Sequence, residues 1–243
     1  LVGGVAAFSH TLMSAADLPG VLARAFALFQ AGRPRPVHIE IPLDVLVEEA
    51  DELLASVPVN IDRAGAAPAA VSRMTELLAG ARRPLILAGG GAIDSAAELT
   101  ELAELLDAPV ALTINAKGML ASRHPLLIGS TQSLVATRAL VADADVVLAI
   151  GTELAETDYD VTFAGGFEIP GKLLRVDIDA DQTVRNYPPH VALVADSRHA
   201  AQALLSPLSH KSLAERRNDW GQVRAARLRD ELAATWDAPT LAQ

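Results

Sequence analysis

The chain has 243 residues, 51% of them hydrophobic and 21% charged, which is enough for one large domain or one domain with an attached piece. Its 20 basic and 30 acidic residues give a net charge of −10 with no Lys/Arg-rich run, so nucleic acid and anionic membrane surfaces are poor partners. There is no cysteine, which removes disulfides, thiolate metal sites and Cys nucleophiles and fits a cytoplasmic protein.

No stretch approaches the roughly 20 apolar residues of a membrane span. The opening Leu1–His10 lacks the basic segment of a signal peptide. The chain opens on an apolar run, Leu1 to Phe8, rather than on Met, and is expected to start inside a longer gene. Asp17 is placed to cap a helix running to about Gln30, with Val21, Leu22, Ala25, Phe26 and Phe29 at helical spacing and Gly32 as its stop. Pro36 to Ile41 reads as a strand closed by Pro42. Periodicity is lost from Pro42 to about Pro68, as in an interdomain linker.

Beyond the linker the alternation is regular. A helix is predicted over about Ala69 to Ala79, with Val71, Met74 and Leu78 on one face. Pro84 to Ala88 is a buried strand, followed by three glycines and a helix from Asp94 to about Leu106. Pro109 to Leu112 is the next strand, and a helix from about Thr131 to Ala142 leads into the strand Asp145 to Ile150. Lys172 to Ile178 and Val191 to Val194 are further strands, and Ser197 is placed to cap a helix to Leu205. The charged segment Ser212 to Trp236 reads as a last helix. Continuous apolar strands alternating with amphipathic helices predict an α/β fold: three layers, a mostly parallel sheet of about six strands, and helices on both faces. Its core should contain Leu85, Ile86, Leu87, Val146, Val147, Leu148, Leu173 and Val176.

Several places could carry chemistry. Gly89-Gly90-Gly91 lies between a strand and a helix, where glycines let a phosphate approach the backbone; a tight turn needs glycines as well. The string is not a full dinucleotide fingerprint, because Asp94 stands where a third spaced glycine would be. Gly151-Thr152-Glu153 follows one strand and Asp177 and Asp179 end another, at the edge where open parallel sheets bind ligands; a carboxylate there could accept ribose hydroxyls or cap the next turn. Gly129 to Gln132 could hold an anion, but reads better as a helix cap. Glu153, Glu156, Asp158 and Asp160 form an acidic loop without the ligand spacing of a calcium loop, and read as a solvated surface. The six histidines show no zinc spacing, His38 reads as packed or hydrogen-bonded, and there is no Gly-x-Ser-x-Gly elbow.

Three stretches together resemble one family. Gly32-Arg-Pro-Arg-Pro-Val-His-Ile-Glu-Ile-Pro-Leu-Asp-Val45 resembles the closing strand of the pyrimidine-binding domain of thiamine-diphosphate enzymes. Arg83 to Gly91 resembles the first strand and turn of their central, Rossmann-like domain. Leu174-Arg-Val-Asp-Ile-Asp179, with Asn186 and Pro189-His190-Val191, resembles that domain's later strands, and Asn115-Ala-Lys-Gly118 with His124-Pro125-Leu126 fits the loop between. The resemblance runs from about Ser9 to Leu205 and points to acetolactate synthase large subunits and related 2-oxo acid decarboxylases.

That resemblance implies a domain plan: residues 1–45 as the tail of the pyrimidine-binding domain, 46–67 as linker, 68–206 as central domain, and 207–243 as a helix and linker towards a diphosphate-binding domain. It implies thiamine diphosphate and Mg²⁺ in the parent enzyme, held by those two other domains, with homo-oligomerisation of the parent. The activating glutamate would lie upstream of Leu1, and the Gly-Asp-Gly motif of the family does not occur, so no catalytic or metal-binding residue is expected here. The family's central domain binds FAD in acetolactate synthases and an adenine nucleotide in some relatives. By position the matching residues are Gly89, Gly90, Gly91, Thr113, Ile114, Gly151 and Asp177. Two departures oppose FAD: the family's Gly-x-Arg-Phe-Asp-Asp loop is here Gly151-Thr-Glu153-Leu-Ala-Glu156, and its flavin-loop Met-His is absent around Ser130 to Leu134. The rival readings are a stand-alone nucleotide- or flavin-binding module and a scaffold domain without ligand.

Overall fold

A computed structural model describes residues 2–50, 60–155 and 168–236. The chain forms two compact units, residues 1–64 and 65–243.

In the first unit, two parallel strands flank a helix. β1 (Phe8–Thr11) pairs with β2 (Val37–Glu40) in the register Phe8 to Val37 through Thr11 to Glu40. β1 is too short and too polar to be read as a strand from its sequence. The helix α1 (Leu18–Ala31) starts where expected, with Asp17 at its N-cap position, but the Asp17 side chain makes no capping hydrogen bond. Pro19 presets the first turn instead, while the Asp17 carboxylate accepts the Met13 N–H at 3.3 Å. A short helix, α2 (Leu43–Leu46), follows β2. Leu12, Val21 and Val45 make a small core with Phe8, Leu18 and Ile39 against it. His38 is hydrogen-bonded, its Nδ1 2.9 Å from the Ser9 hydroxyl.

The second unit holds a six-stranded, wholly parallel sheet among the described residues. Its strands are β3 (Pro84–Ala88), β4 (Val110–Leu112), β5 (Leu127–Gly129), β6 (Val146–Ile150), β7 (Lys172–Asp177) and β8 (Val191–Val194), in the order β5-β4-β3-β6-β7-β8. The first three strands run outward from the centre and the chain then returns to place β6 beside β3. That reversal is the topological switch point of a doubly wound sheet.

Each face of the sheet carries its own core, because successive side chains of a strand point to opposite faces. On one face Ile86, Val110, Leu148, Leu174 and Val176 pack with α3 (Pro68–Gly80), α4 (Ala96–Leu106) and α6 (Ser197–Leu208). On the other Leu85, Leu87, Val147, Ala149 and Leu173 pack with α5 (Val135–Asp143) and α7 (Gln222–Trp236). All eight residues expected in the core are buried. The expected three layers are therefore present.

Several element ends move, each for a local reason. A 3₁₀ segment, Gly90–Ser95, precedes α4, so Asp94 lies inside that segment and Ser95 stands at the N-cap of α4. Asp196, not Ser197, caps α6, accepting the Arg198 and His199 N–H groups. The helix expected from Thr131 begins at Val135: β5 ends at Gly129, at φ +99°, and a turn at residues 132–133 comes between. Residues 212–221 are not helical; they run as a strap along the sheet before α7. Trp220 is fully buried in that strap, and its indole N–H donates to the Pro84 carbonyl at 2.7 Å. Ala214 N–H donates to Ala79 and Arg217 N–H to Arg82. Gly221, at φ +63°, lets the strap pass the Asp107 carboxylate, which accepts the Gln222 N–H at 3.2 Å.

Candidate functional site

The carboxyl ends of β3 and β6 meet at the switch point. Gly89 N–H donates to Ile150 O and Gly91 N–H to Gly151 O, each at 3.0 Å, and Ala92 N–H closes back on Gly89 O at 3.0 Å. The two turns touch backbone to backbone. A Cβ on Gly89 would fall 2.3 Å from Gly151 O, and one on Gly151 2.5 Å from Ala92 N and Gly91 C. Gly151 also has φ +58°, where an L side chain is strained. These glycines are thus required by the contact of the turns with each other. Gly90 is close to a different neighbour, its Cβ position lying 2.9 Å from Asn115 Cβ.

The other positions surround this contact. Thr113 is buried; its N–H donates to Ala88 O at 2.9 Å and its carbonyl accepts the Ser130 hydroxyl at 3.2 Å. Ile114 is exposed, at 71%. Asp177 is buried and its carboxylate accepts the Asp179 N–H at 3.0 Å, as in a turn cap. Asp179 repeats the motif with the Asp181 N–H at 3.0 Å. The structure therefore gathers all seven positions along one edge, on the loops after β3, β4 and β6 and at the end of β7. Glu153 lies exposed on the loop after β6; Glu156, Asp158 and Asp160 lie outside the described residues. Among the described residues no group of three or more His, Asp or Glu side chains is arranged to hold a metal.

Arg175 escaped sequence reasoning. It sits on β7 with 1% exposure, between Leu174 and Val176. Its guanidinium donates to Thr152 O at 2.9 Å and to Arg185 O at 2.6 Å. Asn186, at φ +64°, donates from the same side to Glu153 O and Leu154 O, each at 3.2 Å. The signal was present: an arginine inside an otherwise continuous apolar strand is buried on either face and must bring its own partners. Tyr187 stands beside this group, and burial raises its hydroxyl pKa while the Arg138 charge pulls it down.

Residues 71–204, more than half of the chain, match the family model of the thiamine pyrophosphate enzyme central domain. The chain belongs to this family. It is 39% identical over 231 residues to a Pseudomonas aeruginosa protein named as a probable 2-ketoarginine decarboxylase, covering 95% of this chain and 40% of that one. It is 33% identical over 215 residues to the acetolactate synthase isozyme 1 large subunit of Escherichia coli, covering 86% of this chain and 37% of that one. An X-ray structure from Mycobacterium smegmatis, assigned to thiamin diphosphate-dependent enzymes, superposes with a TM-score of 0.68 at 21% identity, over 87% of this chain and 40% of that chain; that likeness concerns the fold. The chain thus spans at most 40% of the length of these relatives.

Thiamine pyrophosphate family membership makes a flavin or adenine nucleotide the ligand to test at this edge. A pyrophosphate here needs free turn amides and a nearby cation. Three of the four amides from Gly89 to Ala92 are committed to main-chain oxygens, and the Gly151 carbonyl faces Gly91 where a phosphate would need a donor. The residue on the opposing loop, where the family pattern has an arginine, is Glu153. The committed amides oppose a dinucleotide pyrophosphate seated on the turn. No helix among the described residues is long and apolar enough to cross a membrane.

Proposed function

We propose that the chain is the middle of a thiamine-diphosphate- and Mg²⁺-dependent 2-oxo acid decarboxylase or acetolactate-synthase-like enzyme, which breaks or forms a carbon–carbon bond, and that these residues alone catalyse nothing. The observation that carries the reading is the family match over residues 71–204, flanked by similarity that covers 95% of the chain. The 39% identity to a decarboxylase of a 2-oxo acid with a guanidino group favours decarboxylation of a 2-oxo acid as the parent reaction.

In this reading residues 1–45 end the pyrimidine-binding domain, 46–67 link it to the central domain of residues 68–206, and 207–243 lead towards the diphosphate-binding domain. Two parallel strands make a marginal layer by themselves, and Phe26, Phe29, Leu43 and Val47 of the first unit are exposed. The rest of the pyrimidine-binding domain would cover them, in a homo-oligomeric, cytoplasmic parent. Bound thiamine diphosphate supplies the electron sink for loss of carbon dioxide. The contribution of these residues is a rigid sheet that fixes its neighbours in place. Glu153 and the closed turns support a central domain that is structural. A polypeptide of the relatives' length that contains this chain, given thiamine diphosphate, Mg²⁺ and 2-ketoarginine or pyruvate, is expected to release carbon dioxide. Failure with both substrates, in a folded protein, would overturn the reading.

A further inference from the structure

The edge of the sheet that receives ligands in doubly wound folds is held here by the protein's own side chains. Three consecutive carbonyls, of Thr152, Glu153 and Leu154, accept hydrogen bonds from Arg175 and Asn186. The same guanidinium reaches the chain after β7 through Arg185 O and, at 3.4 Å, Tyr187 O. A buried guanidinium without such partners would be costly, so the carbonyls and the cation fix one another. Leu154 is itself fully buried at φ +50°, a strained conformation that persists only when its surroundings hold it. On the β3 side the turn amides close on Ile150, Gly151 and Gly89.

We infer that Arg175 and Asn186 are built-in ligands of the loop after β6, which complete the switch-point edge from within, so that the domain takes neither FAD nor an adenine nucleotide. In this role Arg175 is a positioning residue, and its guanidinium donates to the main-chain oxygens of Thr152, Arg185 and Tyr187.

Two measurements on the 243-residue chain test this. Calorimetric titration with FAD and with ADP is expected to give no saturable heat. Binding of either at a Kd of about 100 µM or tighter would overturn the inference. Hydrogen–deuterium exchange reads the clamp. Arg175→Met keeps the apolar stem and removes the guanidinium; amides of residues 151–155 and 185–187 should exchange at least about tenfold faster, with β3 and β4 unchanged. Arg175→Lys should restore part of the protection. Should Arg175→Met fail to fold, Asn186→Asp keeps the left-handed backbone and faces an acceptor towards the carbonyls of Glu153 and Leu154. Faster exchange at residues 152–155 in that variant supports the clamp, and unchanged exchange there refutes it.

Discussion

Replacing Gly151 by alanine tests the contact between the two glycine turns. Its φ of +58° places any L residue in the left-handed region, at about 1–2 kcal/mol. The new methyl would sit 2.5 Å from Ala92 N and Gly91 C, both backbone atoms that cannot rotate away. Overpacking of this kind costs about 1–3 kcal/mol. The sum is about 2–5 kcal/mol, and for a domain of this size each kcal/mol lowers the midpoint by about 2–4 °C. The thermal midpoint of Gly151→Ala should therefore fall by roughly 10 °C, with a matching fall in the urea midpoint. Gly80→Ala is the control. Gly80 ends α3 with open space around its Cβ position, and alanine there should be neutral or stabilising by up to about 1 kcal/mol. A Gly151→Ala midpoint within about 2 °C of the unaltered chain would refute the turn-on-turn reading.

Trp220→Ala removes a fully buried indole and its bond to Pro84 O; urea unfolding should show a loss of about 3–5 kcal/mol, whereas a loss below about 1 kcal/mol would mean that the strap is not part of the domain's core. Asp107 supplies a pH prediction. Burial raises its pKa above 3.8, against the opposing effects of the Gln222 N–H and the Arg216 charge. The folded state then holds a proton that the unfolded state has released, so this carboxyl's contribution to stability falls as pH rises from 3.8 through the raised value. Asp107→Asn, which tolerates the left-handed cap at φ +46°, should leave the urea midpoint at pH 7 unchanged or higher and flatten its pH slope above 3.8; a steeper slope would contradict the sign. Leu148→Ala, at the centre of the sheet, should cost about 2–5 kcal/mol in the same assay.

The strands that run apolar from end to end, Pro84–Ala88 and Val146–Ile150, were legible because both faces of a parallel sheet are covered. β5 was not, since Leu127–Gly129 is three residues long and ends in a glycine after Pro125. The sparse apolar spacing of the strap predicts a helix; tertiary bonds from Ala214, Arg217 and Trp220, which periodicity does not encode, hold it instead. At the switch point the glycines themselves were legible as a turn, but their partners were not. What Gly89 and Gly91 touch is Gly151, a long way along the chain, and only the folded sheet brings them together. Asp177 looked like a ribose acceptor because a strand-end carboxylate has that position; its oxygen also caps the turn at Asp179, the other reading open from the sequence.

On the function proposed above, the carbon–carbon bond chemistry of the parent enzyme lies outside these 243 residues. No Gly-Asp-Gly motif occurs in the sequence, and the described residues bring no three metal-binding side chains together. The most direct test is carbon dioxide release by the chain itself, with thiamine diphosphate, Mg²⁺ and either pyruvate or 2-ketoarginine. The account predicts release at the rate of the protein-free control, and cofactor-dependent release above that rate would contradict it.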